Sequence, residues 1–276
     1  MTTTIALAGK GGTGKTTIAA LLIRYLLEER VGAILAIDAD PASNLNFVLG
    51  MELYQTIGEI REDMLDQVQT SGALAGSMPG GMSKQEYLDY QVQMSLVEGE
   101  RVDLLAMGRP EGPGCYCAAN QMLRVILDRL EKQYDYVVID NEAGMEHLSR
   151  RTTRDVNVLL LVTDPTQRGL ITAKRMQEMV PELEIGVEHV YLVVNRLRSK
   201  GQKGAGAIPV PLADAIEEAD LDLIGTVPEE PAMAEFEFTG RPLVELPEET
   251  DVYQAVREIA ASILNGQPLR RRSGQG

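Results

Sequence analysis

Thr3-Thr4-Ile5-Ala6-Leu7-Ala8 runs straight into Gly9-Lys10-Gly11-Gly12-Thr13-Gly14-Lys15-Thr16, and this junction decides the fold. An apolar, β-prone run ends in a glycine-rich turn. The turn ends in Lys-Thr, and a helical pattern follows. That order is the strand, loop and helix of a phosphate-binding P-loop. The glycines let the backbone curl so that successive N–H groups face an anion, and the helix adds its positive N-terminal end. Gly11, Gly12, Thr13, Gly14, Lys15, Thr16 and Thr17 are therefore the candidate nucleotide contacts. Lys15 is placed to reach the outer phosphates, and the Thr16 hydroxyl to meet Mg²⁺.

A second lysine, Lys10, follows the first glycine. An ordinary P-loop needs one. Lys10 sits too close to the turn to fold back easily on its own phosphates, but it can reach those of a facing subunit. This deviant Walker A pattern resembles the ATPases related to nitrogenase iron protein and to the Min/Par partition proteins. A cation supplied in trans, like an arginine finger, contributes roughly 10³–10⁵ in rate.

The chain has 276 residues and 44% hydrophobic residues, enough for one large α/β domain. Its net charge of −15 repels nucleic-acid phosphates and anionic lipid and favours cations or a basic protein partner. No nucleic acid and no membrane is therefore expected as a partner. No stretch is long and apolar enough to span a bilayer, and no signal peptide precedes the first strand. The cytoplasm is the expected location. Residues 267–276, with Arg270-Arg271-Arg272, read as a flexible C-terminal tail.

Strands and helices alternate, which predicts an α/β fold: a single P-loop NTPase domain over residues 1–266, its mostly parallel sheet covered on both faces. Predicted strands are Ala33–Ile37, Tyr136–Ile139, Val158–Val162, Val190–Val194 and Leu223–Val227, besides the first. Predicted helices include Ile18–Glu29, Ala118–Lys132 and a closing helix over Asp251–Leu264. Residues 53–100 break the rhythm. They read as a helical insertion after the second strand, with helices over Ile57–Val68 and Glu86–Leu96, no strand, and a mobile Gly- and Met-rich part over Ser71–Ser83.

Polar residues collect at strand carboxyl ends, where open α/β sheets bind ligands. In Asp38-Ala39-Asp40-Pro41, Asp38 is placed to hold Mg²⁺ through water and Asp40 to face the γ-phosphate and orient or deprotonate the attacking water. Asp140 fits the Walker B role on Mg²⁺, and Gly144 the amide that senses the γ-phosphate. Lys10, Lys15 and Asp40 are the catalytic candidates. Asn195-Arg196 resembles the adenine-contacting stretch of these ATPases, with Pro228–Pro231 as the second wall. The guanine-reading Asn-Lys-x-Asp pattern is missing at this strand end, so ATP is the expected nucleotide.

The chain's two cysteines stand together in Gly112-Pro113-Gly114-Cys115-Tyr116-Cys117, just before a predicted helix. A helix N-terminus favours thiolate. Two thiolates make a poor tetrahedral site, but two chains on a two-fold axis bring four, the set preferred by zinc and accessible to nickel. Two buried apolar residues, or a strained local disulfide, are the other readings of the pair. The two histidines, His147 and His189, form no metal store. From Gly9–Thr16, Asp38–Pro41, Cys115-Tyr116-Cys117 and Asp140–Arg150, the chain resembles the carbon monoxide dehydrogenase accessory ATPases of the nickel-insertion (CooC/AcsF) type. That resemblance implies a homodimer closed by ATP and metal, Ni²⁺ or Zn²⁺ on Cys115 and Cys117 of both subunits, and a carbon monoxide dehydrogenase catalytic subunit as client. Asn141-Glu142 departs from the commonest form of the group. An iron-sulfur-bridged reductase of the nitrogenase iron protein type and a partition-type ATPase switch are the rival readings.

Overall fold

The computed structural model of the chain describes residues 2–70, 81–109, 117–144, 155–182, 186–198 and 208–266. Seven strands form one sheet: β1 (Thr3–Gly9), β2 (Ile34–Ala39), β3 (Val102–Ala106), β4 (Tyr136–Asn141), β5 (Asp155–Thr163), β6 (Gly186–Leu197) and β7 (Leu223–Pro228). The order is β3-β2-β4-β1-β5-β6-β7 and every pairing is parallel. Nine helices lie among the described residues: α1 (Lys15–Glu28), α2 (Leu45–Leu49), α3 (Ile57–Thr70), α4 (Lys84–Ser95), α5 (Cys117–Glu131), α6 (Gln167–Met179), α7 (Val210–Glu218), α8 (Pro231–Thr239) and α9 (Asp251–Leu264). None is long and apolar enough to cross a membrane.

The two-residue period of the strands divides the core. Ile5 and Leu7 of β1 face α1, α2, α8 and α9, while Ala6 and Ala8 face α3 to α7. Neighbouring strands repeat the alternation, with Leu160 and Val162 on the first side and Leu159 and Leu161 on the second. A strand buried on both faces reads as a continuous apolar run, which is why these strands are visible in the sequence. β3 is the one that is not. Val102-Asp103-Leu104-Leu105-Ala106 is short and interrupted by Asp103, and it is the edge strand next to β2. Its outer side is shielded by Val97, which exchanges backbone hydrogen bonds with Leu104 at 2.9 Å each way.

β1 lies between β4 and β5, where the chain's crossovers part to opposite sides. The carboxyl end of β1 is therefore the switch point at which such sheets open a ligand crevice. α1 begins at Lys15, three residues before the predicted start. Gly14 takes the left-handed conformation (φ 89°) and turns the chain directly into the helix. Residues 71–80, Cys115, residues 145–154 and the 267–276 tail lie outside the described residues.

α1 is buried along nearly its whole length. The Arg24 guanidinium lies 4.0 Å from the centre of the Tyr253 ring on α9 and donates to the Leu246 carbonyl. The Tyr253 hydroxyl donates to Glu28, which also pairs with Arg24 at 2.8 Å. This clamp fixes the phosphate-loop helix against the closing helix. Tyr253 is fully buried. Tyr253→Ala is expected to cost about 3–5 kcal/mol in urea unfolding, as loss of a large core aromatic does. Tyr253→Phe, which loses only the hydrogen bond to Glu28, should cost about 1 kcal/mol.

Candidate functional site

In the loop from Gly9 to Gly14, the carbonyls of Gly9, Lys10 and Thr13 are each met by a donor. The Gly9 carbonyl accepts from the Gly144 N–H at 3.2 Å and from Lys15 Nζ at 3.3 Å. The Lys10 carbonyl accepts from the Thr13 hydroxyl at 2.9 Å and from Lys15 Nζ at 3.4 Å. The Thr13 carbonyl accepts from Asn195 Nδ2 at 2.7 Å. A Cβ on Gly9 would collide with the Val162 carbonyl of β5, so glycine is required where the loop leaves the sheet. Gly14 supplies no side-chain cap to α1, and the first turn holds no acidic residue. Its amides stay open to an anion. Lys10, Gly11 and Gly12 are exposed, while Thr13 and Lys15 are buried.

Two strands bring carboxylates beneath this loop. Asp38 on β2 and Asp140 on β4 are directly paired in register. Burial pushes the Asp140 carboxyl up from 3.8 to about 7, with the Thr16 hydroxyl acting against that shift and Asp38 adding to it. Asp140 Oδ1 is buried and without a hydrogen-bond partner, which marks a place for a cation or its water. Burial likewise raises Asp38, to about 6, against the pull of backbone N–H groups. Both its oxygens are occupied: Oδ1 accepts from the Asp40 N–H at 3.0 Å and Oδ2 from the Leu45 N–H at 2.9 Å. Asp38 thus shapes the loop carrying Asp40 and starts α2. Asp40 accepts from the Ala42 N–H at 2.8 Å and lies close enough to Lys15 to raise its pKa. Burial outweighs that effect and holds the Lys15 ammonium below its usual value. Thr16, Asp140 and Asp38 are the residues that would hold Mg²⁺. When bound, the ion neutralises phosphate charge.

A cleft of about 190 Å³ opens beside the loop, lined by Gly14, Thr17, Asn195, Arg196, Pro228 and Glu230 together with Met233, Ala234 and Val252. The structure therefore brings Thr17, Asn195, Arg196 and Pro228 together. Met233 and Ala234 from α8 and Val252 from α9 were not legible in the sequence. They face the loop only because β7 is laid beyond β6. Glu230 Oε2 accepts the Val252 N–H at 3.1 Å and joins the two walls. A second, larger cleft of about 830 Å³ shares Arg196 and Glu229 with this one and is bounded by Asp164, Leu170 and Leu212.

Cys117 is the first residue of α5, so its backbone stands at a helix N-terminus. Among the described residues no group of three or more His, Cys, Asp or Glu side chains gathers as a metal site. His189 stacks on Tyr191 at the exposed end of β6.

A profile of the CobQ/CobB/MinD/ParA nucleotide binding domain matches residues 4–243. An uncharacterized ATP-binding protein of Methanocaldococcus jannaschii is 44% identical over 261 residues, covering 95% of this chain and 98% of the relative. The carbon monoxide dehydrogenase accessory protein CooC of Rhodospirillum rubrum is 31% identical over 229 residues, covering 81% of this chain and 82% of the relative. In solved structures, the septum site-determining protein MinD of Pyrococcus horikoshii with Mg-ADP shares the fold, with a TM-score of 0.63, 23% identity and coverage of 96% and 98%.

The buried carboxylates predict a pH dependence. A carboxyl raised from 3.8 to about 7 binds more protons folded than unfolded between those values, so stability of the ligand-free chain falls as pH rises through that window. Asp140→Asn is expected to flatten this fall and to raise Tm above pH 7 without Mg²⁺. Mg²⁺ with nucleotide should then raise Tm in the wild type and much less in the variant, by scanning calorimetry. A variant no more stable than wild type at pH 8 would remove the charge of Asp140 from this role.

Proposed function

The chain belongs to the CobQ/CobB/MinD/ParA nucleotide-binding family, and on that premise we propose that it is an ATP-hydrolysing metallochaperone that loads nickel into a carbon monoxide dehydrogenase. The observation that carries this reading is the Cys115-Tyr116-Cys117 run, whose last residue opens α5, in a chain that also carries the complete phosphate loop. The likeness to the Rhodospirillum rubrum accessory protein supports it. Lys15, the loop amides and the open turn of α1 hold the phosphates, and Asp40 orients the attacking water. Lys10, exposed at the edge of the loop, completes the site of a second copy. The cargo ion, nickel or zinc, is held by four thiolates across the two-fold axis. The metal and the nucleotide then close the same dimer, so each tightens binding of the other.

A partition-type ATPase switch is the second reading, favoured by the fold shared with MinD. Metal separates the two. A switch of that kind has no use for the cysteine pair, whereas the metallochaperone depends on it. A brown protein with broad visible absorption would instead point to an iron-sulfur cluster bridging the subunits.

Two variants test the proposal. Cys115→Ala/Cys117→Ala should bind ATP normally and lose metal-driven dimerisation, seen by sedimentation together with metal analysis. Nickel or zinc retained at one ion per two chains in this variant would place the site elsewhere and overturn the reading. Lys10→Gln should bind ATP with little change, dimerise weakly with nucleotide and lose about 10³-fold in turnover. An undiminished ATP-driven dimer and turnover would remove the trans lysine.

A further inference from the structure

We infer that the groove at the β3 edge of the sheet, where Tyr54 and Met94 stand exposed beside Glu52 and Glu98, is a docking surface for a basic segment of a partner protein, one that presents an aliphatic side chain between arginines or lysines.

The groove measures about 580 Å³ and lies between two stretches of chain. Gly50, Met51, Glu52 and Tyr54, just after α2, line one side, and the end of α4 with the segment leading to β3 lines the other. Tyr54 is 78% exposed and Met94 62%, and Tyr90, one helical turn before Met94, is 53% exposed. Large apolar side chains left together in water mark interaction surfaces, and Tyr and Met are enriched at the cores of interfaces. The walls are fixed without a ligand. Val97 exchanges two backbone hydrogen bonds with Leu104. Asp103 accepts from the Gly99 N–H at 3.2 Å and from the Tyr134 hydroxyl at 2.6 Å, which pins the segment before β3. The Met51 N–H donates to the Asn46 carbonyl at 2.9 Å and ties the opposite wall to α2. A groove formed in advance spares a partner the cost of ordering it.

The charge in the groove has one sign, and that sign selects the occupant. Its charged lining residues are Glu52 and Glu98, both exposed, and among the described residues no lysine or arginine lines it. The Tyr54 hydroxyl donates to Glu52 at 3.0 Å, so ring and carboxylate are presented together. The last turn of α4, which carries Gln93 and Met94, holds no basic residue, and its partial negative charge adds to that of the carboxylates. The net charge of −15 draws a basic partner from a distance. A second copy meeting this face about a two-fold axis would set the same carboxylates against each other. A basic segment answers both features: its aliphatic side chain covers Tyr54 and Met94, and its flanking cations meet Glu52 and Glu98. The groove shares no lining residue with either cleft beside the phosphate loop, so its use is separate from nucleotide binding.

The test uses the full chain and a short fluorophore-labelled synthetic peptide with a central leucine flanked by arginines, its binding read by fluorescence anisotropy. The wild type should bind it with a Kd on the order of 10–100 μM, weakening as salt rises. Replacing the leucine by serine, or the arginines by glutamates, should weaken binding about tenfold or more. On the protein, Tyr54→Ser/Met94→Ser and Glu52→Lys/Glu98→Lys should each cost about tenfold. Glu248→Lys/Glu258→Lys, which makes the same change in net charge at exposed positions away from the groove, should stay within about twofold of wild type. Unaltered far-UV circular dichroism and Tm in each variant would show that the fold is intact. Equal losses in the two charge-reversed variants would reduce the binding to attraction by net charge and overturn the inference. A Tyr54→Ser/Met94→Ser variant that bound like wild type would overturn it, as would a wild type that failed to bind the peptide. Self-association of the wild type that vanished in Tyr54→Ser/Met94→Ser would make the groove a face between copies and overturn it equally.

Discussion

A peptide loop cannot turn its N–H groups inward without turning carbonyls outward, and outward carbonyls in a packed protein need donors. Much of this structure can be traced to that constraint. β1 delivers the loop at the centre of the sheet, where β4 and β5 flank it. Gly144 comes from the end of β4, Asn195 from the end of β6, and Lys15 folds back from the first turn of α1. Three separate segments thus hold one turn in place. The parallel order of the sheet brings their ends to the same rim.

The second constraint is electrostatic. Asp38 and Asp140 stand side by side on paired strands, both buried, with Lys15 above them. Isolated charges are costly in such a place. Asp38 is supplied with backbone N–H groups, whereas Asp140 keeps one oxygen unpartnered. The asymmetry is one of partners: the Asp38 carboxylate is tied to the loop that follows it, and the Asp140 carboxylate keeps one oxygen open.

Much of this was legible in the sequence. The first strand, the glycine pattern and the Asp-rich strand ends are local signals, and six of the seven strands follow from apolar runs buried on both faces. β3 was hidden because an edge strand interrupted by Asp103 carries no such run. The small cleft beside the phosphate loop was legible only in half. Asn195, Arg196 and Pro228 end strands, and strand ends announce themselves. Met233, Ala234 and Val252 lie on helices whose apolar faces could equally have served the core, and only the placement of β7 beyond β6 turns them to the loop. Asn195 shows the limit from the other side. Its position was evident, but its bond to the Thr13 carbonyl, 182 positions away, was not.

The uncapped first turn of α1 also bears on how long the folded chain lasts. A helix whose opening amides lack a cap, above a buried lysine and two buried carboxylates, is a patch of local frustration left unresolved until phosphate and cation arrive. Ligands that bind only the native state stabilise it by mass action. In a cell, the lifetime of this chain against proteases would then rise and fall with the supply of the nucleotide that it binds.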